Sequence, residues 1–161
     1  MADIKLIGTD TIGDTDVGPN YVHACQFICG ISGVVSLMAI YPRVDSNVRV
    51  AMYTDSGSNT VGTLIAESAN TPITTGAWRY VSCAAGAITA GIKYWLAIQV
   101  ETSGGAAYII TGVAPRGYKN QAYGAFPANG SGFSHDAGVL YSLQGWGTPL
   151  AVPRSFGFII G

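Results

Sequence analysis

The chain has 161 residues, 48% of them hydrophobic and only 11% charged, and eight Lys and Arg against nine Asp and Glu leave a formal net charge of −1. An ordinary soluble domain carries about 25% charged residues, so no basic field is present for nucleic-acid phosphates and no charge-rich bias marks a disordered chain. The length fits one domain over 1–161. Either Ser, Thr, Asn and Gly keep its surface wet, or neighbours cover part of it.

The opening MADIKLIG lacks a basic stretch followed by a long apolar run. No signal peptide is expected, and synthesis in a cytoplasm is. The run Asp10-Thr-Ile-Gly-Asp14-Thr-Asp16 comes next. Carboxylates alternating with flexible residues can wrap Ca²⁺, which takes six to eight oxygens. Asp10, Asp14 and Asp16 are therefore the candidate metal ligands, and Ca²⁺ is the one cofactor considered. The twelve-residue loop with its terminal Glu is missing, and the competing reading is a polar loop with Asx-turns.

Ala24 to Tyr41 carries no charge and reaches the length of a spanning helix. Gly30, Gly33, Ser32, Ser36 and Gln26 argue against a membrane span, and the segment reads as two strands broken at Gly30–Gly33. The three cysteines, Cys25, Cys29 and Cys83, exclude a complete disulfide framework. Four residues of strand hold Cys25 and Cys29 about 13 Å apart, beyond the roughly 7 Å limit of a disulfide. Buried free thiols are expected.

Strand signals continue along the chain. Asn47–Asp55 alternates Val48, Val50 and Met52 with Arg49, Ala51 and Tyr53, the period of a strand. Gly62–Ala69 and Ala77–Cys83 follow. Lys93–Glu101 puts Tyr94, Leu96, Ile98 and Val100 on one face. Ala107–Val113 is expected to pair with it as a hairpin across Thr102–Gly105. Helix formers never cluster over three turns. The predicted fold class is all-β, an antiparallel β-sandwich; strand spacing alone leaves a jelly roll and an immunoglobulin-like arrangement open.

Several segments carry a resemblance. They are Gln26-Phe27, Gly33–Leu37, Asn47–Gly57, Gly62–Ser68, Trp78 and Ala90–Ala97. Together they resemble a jelly-roll module found on bacterial surface and carbohydrate-active proteins and in phage tail and virion proteins. The resemblance implies a jelly-roll core over about 20–101. It implies no site residues, because a fold hosts many functions.

The part beyond it, 114–150, is Gly- and aromatic-rich and is read as loops. Candidate ligand or interface residues there are Tyr118, Asn120, Tyr123, Phe133, His135, Asp136 and Trp146. Such rings suit a subunit interface, closure of the core, or stacking against a sugar. Ser134-His135-Asp136 invites a triad reading, but triads assemble from distant segments, and no Gly-x-Ser-x-Gly elbow accompanies it. No catalytic residue is assigned. The last strand, Phe158-Ile159-Ile160, could add to another subunit's sheet edge.

These features favour a non-enzymatic virion structural protein: a capsid decoration, head-fibre or tail-associated subunit. It would be made in a host cytoplasm, displayed on the virion surface, and partnered by itself and by other virion proteins. The alternative is an extracellular carbohydrate-binding module or lectin with a surface glycan as partner. Neither nucleic acid nor membrane is an expected partner.

Overall fold

The computed structural model describes residues 2–151. The described residues form β1 (Ile4–Gly8), β2 (Thr15–Asp16), β3 (Tyr21–Ile28), β4 (Gly33–Ile40), β5 (Ser46–Asp55) and β6 (Val61–Glu67). They continue with β7 (Thr71–Ile73), β8 (Arg79–Ile88), β9 (Lys93–Val100), β10 (Ala107–Asn120), β11 (Ser134–Tyr141) and β12 (Leu143–Pro149). No helix among them is long and apolar enough to cross a membrane.

Eight of these strands make two layers, ordered β1-β12-β4-β8 and β3-β9-β5-β6. The first of the eight pairs with the last, the second with the seventh, and so inward: β1 with β12, β3 with β9, β4 with β8, β5 with β6. All four pairings are antiparallel. A long hairpin rolled up in this way is a jelly roll. The expected all-β sandwich is what the chain forms.

Alternation explains the layers. Val48, Val50 and Met52 of β5 and Leu96, Ile98 and Val100 of β9 face Val35, Met38 and Ile40 of β4 and Leu143 of β12 in one buried cluster. The β5–β6 turn is tight because Gly57, Ser58 and Asn59 all take positive φ, at 95°, 53° and 55°, a region that Gly and Asn enter readily. Cys25, Cys29 and Cys83 are all free thiols.

One expected pairing does not form. β9 lies between β3 and β5, so the strand following Thr102–Gly105 cannot pair with it. β10 instead joins the outer edge of β3, with Arg116 opposite Cys25 and Asn120 opposite Tyr21. β11 then pairs with β10. The β10–β11 pair is thus an arm inserted between the seventh and eighth jelly-roll strands, extending one layer into an eight-stranded sheet. Within 114–150 only 121–133 is a long connection; most of the rest is strand.

Candidate functional site

The arm buries a second core. Val22, Ala24, Ala51, Tyr53, Val61, Trp95, Ala97 and Phe126 form a buried cluster separate from the first, with Leu64 and Phe133 packed against it. Six of these are other-face residues of β3, β5 and β9, which would meet water in a bare sandwich; Val61 begins β6 and Phe126 comes from the connection above them. The 121–133 connection covers them, and polar groups hold it down. Gln99, 1% exposed, donates from Nε2 to Ala122 O and accepts from Gly124 N–H at Oε1, both at 3.3 Å. The Tyr53 hydroxyl donates to Pro127 O at 3.0 Å, and burial raises its pKa. The Phe126 N–H donates to Glu67, and Leu64 N–H donates to Ala128 O at 3.0 Å. At Gly130 the chain passes so close to β6 that a Cβ would lie 1.9 Å from Val61 O.

Phe133 and His135 complete this closure. Phe133 stands edge-on to Tyr53 at 6.0 Å and 68°. His135 Nε2 accepts the Val61 N–H at 3.0 Å, and its ring meets Trp95 edge-on at 5.7 Å. Trp95 Nε1 and Gln26 Nε2 both donate to Asp55 Oδ1, at 2.9 and 2.8 Å. Desolvation lowers the His135 pKa, opposed by the nearby Asp136 and Asp55 carboxylates.

Tyr118 and Asp136 meet elsewhere. Arg116 donates from Nε and Nη2 to the two Asp136 oxygens, a bidentate, charge-assisted pair. Its guanidinium lies 4.7 Å from the Tyr118 ring centre, within cation–π range. On the same strand as Asp136, the Tyr141 hydroxyl lies 3.0 Å from His23 Nδ1. His23 Nε2 reaches Gly18 O at 3.1 Å. A carbonyl only accepts, so Nε2 carries the proton and Nδ1 accepts from Tyr141. The Asp136–Arg116 pair thus ties β11 to β10, and Tyr141–His23–Gly18 ties β11 to β3 and the loop before it. Burial drives the His23 pKa down to about 4. Tyr21, His23, Arg116 and Tyr118 line a small hollow of about 270 Å³ beside it.

The other sequence candidates are scattered. Asn120 ends β10 opposite Tyr21. The Tyr123 hydroxyl donates to Asn70 Oδ1, and burial raises its pKa to about 12. Trp146 lies on β12 in the other sheet, its Nε1 donating to Gln144 Oε1 at 2.7 Å. Asp10 pairs with Lys5, Asp16 with Arg43, and Asp14 accepts from Thr15. The three carboxylates thus have different partners, and among the described residues no three His, Cys, Asp or Glu side chains converge on a metal-sized site. Phe158, Ile159 and Ile160 lie outside the described residues.

His23, Gln26, Asp55 and Gln99 are not among the site candidates that the sequence offers. Gln99 carried a usable signal: an amide inside an otherwise apolar strand is either at an edge or bonded to something covering it. Comparison with protein-family models, with curated proteins and with solved structures returns no match.

Proposed function

We propose that the chain is a non-enzymatic structural subunit that works by assembly. The observation that carries this reading is a set of exposed aliphatic side chains at one end of the sandwich. Ile28 is 64% exposed, Leu150 58%, Ile92 51% and Ile31 42%. They lie on adjoining segments: Cys29 N–H donates to Ile92 O at 2.9 Å, Ile31 N–H to Leu6 O at 3.3 Å, and Leu150 N–H to Ser32 O at 2.9 Å. Scattered exposed apolar residues are ordinary, whereas a contiguous group marks an interaction surface. A recess of about 640 Å³ borders it, lined in part by Asp55, Gly57, Ile92 and Lys93.

The resemblance of 26–101 to phage and bacterial jelly-roll modules suggests the setting, a virion surface component with copies of itself and other virion proteins as partners. The non-catalytic part of the proposal draws on geometry. His135 turns to Trp95 and Val61, and Asp136 turns to Arg116. Neighbours in a strand face opposite ways, so Ser134, His135 and Asp136 do not form a triad.

Replacing Ile28 and Ile92 together by Asp tests the reading. The expected result is a smaller species by light scattering after size exclusion, with an unchanged melting temperature. An unchanged oligomer would remove this end from the assembly contact.

A further inference from the structure

The outer face of the four-stranded sheet, with the residues just after β4 and just before β8, lies outside the assembly surface just described and carries four aromatic rings in two edge-on pairs. Tyr41 meets Trp78 at 5.8 Å and 77°, and Tyr80 meets Trp146 at 5.5 Å and 80°. Two of the chain's three tryptophans, Trp78 just before β8 and Trp146 on β12, therefore lie outside both buried clusters. Tyr80 is 52% exposed. Ala39 lies between these rings, opposite both Tyr80 and Gln144. Met38 and Ile40 point into the main core, so Ala39 points outward, and its single methyl is fully covered where the Tyr80 and Trp146 rings meet. Beside it Thr71, Pro72, Thr74, Trp78 and Tyr80 border a groove of about 420 Å³.

We propose that this aromatic face binds a neutral oligosaccharide, with sugar rings stacked on Trp78, Tyr80 and Trp146 and hydroxyls reaching Thr71 and Thr74. Two observations favour that ligand class. The Trp146 ring is fixed before any ligand arrives: its Nε1 donates to Gln144 Oε1 at 2.7 Å. Gln144 Nε2 in turn donates to Thr9 O at 3.0 Å and Asp10 Oδ1 at 2.8 Å. A platform held in this way costs little ordering on binding.

The charges at the margin are already engaged. Arg79 donates from Nε to Thr74 O at 2.6 Å and from Nη2 to Thr75 O at 2.9 Å, and Lys5 pairs with Asp10. A nucleic acid could stack its bases here, but its phosphates require free Lys or Arg. A sugar presents an apolar C–H face to a ring and hydroxyls at its rim, and needs no charge.

The test is titration of the full chain with cellohexaose, maltohexaose, mannohexaose and chitohexaose, followed by the indole N–H resonances. At least one sugar is expected to shift Trp78 and Trp146 saturably while leaving Trp95 in place. Tyr80→Ala, at a half-exposed position that leaves folding intact, is expected to weaken that binding about tenfold, the size of one good aromatic contact. The proposal is overturned if no sugar moves either indole, or if binding survives combined Tyr80→Ala and Trp146→Ala. It is also overturned if the same resonances move with protein concentration alone and Tyr80→Ala abolishes the effect, which would assign the face to a subunit contact.

Discussion

His135 on β11 accepts the backbone N–H of Val61 on β6 at 3.0 Å, although β11 and β6 are the two ends of the eight-stranded sheet's main strand path. The sheet therefore curls until its ends meet over the second core, and a histidine nitrogen makes part of the join. Only a neutral imidazole can accept there. His135→Ala is expected to cost about 1 kcal/mol and to speed exchange of the Val61 amide more than amides of β9. Equal protection of Val61 in variant and parent would contradict the join.

Both histidines are held below the ordinary value near 6.5, His23 to about 4 by burial and His135 by burial to a lesser degree. The unfolded chain then binds more protons than the folded one below pH 6.5, so stability is present above that pH and is lost as pH falls. For His23, lowering pH from 7 to 4 removes about 3 kcal/mol at 1.36 kcal/mol per unit. Urea midpoints should be flat just above pH 7 and fall toward pH 4, and His23→Gln should flatten the acid limb. A midpoint insensitive to pH between 6.5 and 4 would contradict the burial.

Phe126 is 6% exposed and meets Tyr53 edge-on at 6.5 Å. Phe126→Ala is expected to destabilise by about 3 kcal/mol, the usual cost of such a cavity. A change below 0.5 kcal/mol, the range of ordinary surface substitutions, would show that the connection is only laid over the sheet.

The thiols should be slow to react. Burial raises Cys25 to about 12 and Cys83 to about 11, and the thiolate is the nucleophile. Iodoacetamide at pH 8 is expected to leave Cys25 unmodified in the folded chain and to label all three cysteines in urea. Fast labelling of Cys25 without urea would contradict its placement.

The strands were legible because alternation in Asn47–Asp55 and Lys93–Glu101 reports burial directly. Partner choice was not. Thr102–Gly105 has the composition of a hairpin turn, but composition cannot reveal that β3, far back in the chain, already occupies that edge of β9. The aromatic run was recognisable as distinctive, yet its residues divide among separate environments. Phe133 and His135 turn to the second core, while Tyr118 and Asp136 turn to Arg116. Trp146 belongs to the other sheet. Each step along a strand flips the face, and the bulge between Ile110 and Pro115 resets the count, so no periodicity carries through it. The low charge reads more sharply against the fold. Tyr53, Trp95, Phe126 and Phe133 close a second core, and the exposed apolar side chains include Ile28, Ile31, Ile92 and Leu150 at one end, Tyr80 on the four-stranded sheet, and Ile12 and Ile110 elsewhere.

The assembly reading is tested most directly by sedimentation velocity of the full chain from low-micromolar to sub-millimolar concentration. A discrete oligomer, shifted toward monomer by Ile28→Asp with Ile92→Asp, is the expected result. A single monomeric species across the whole range, unchanged by those substitutions, would contradict it.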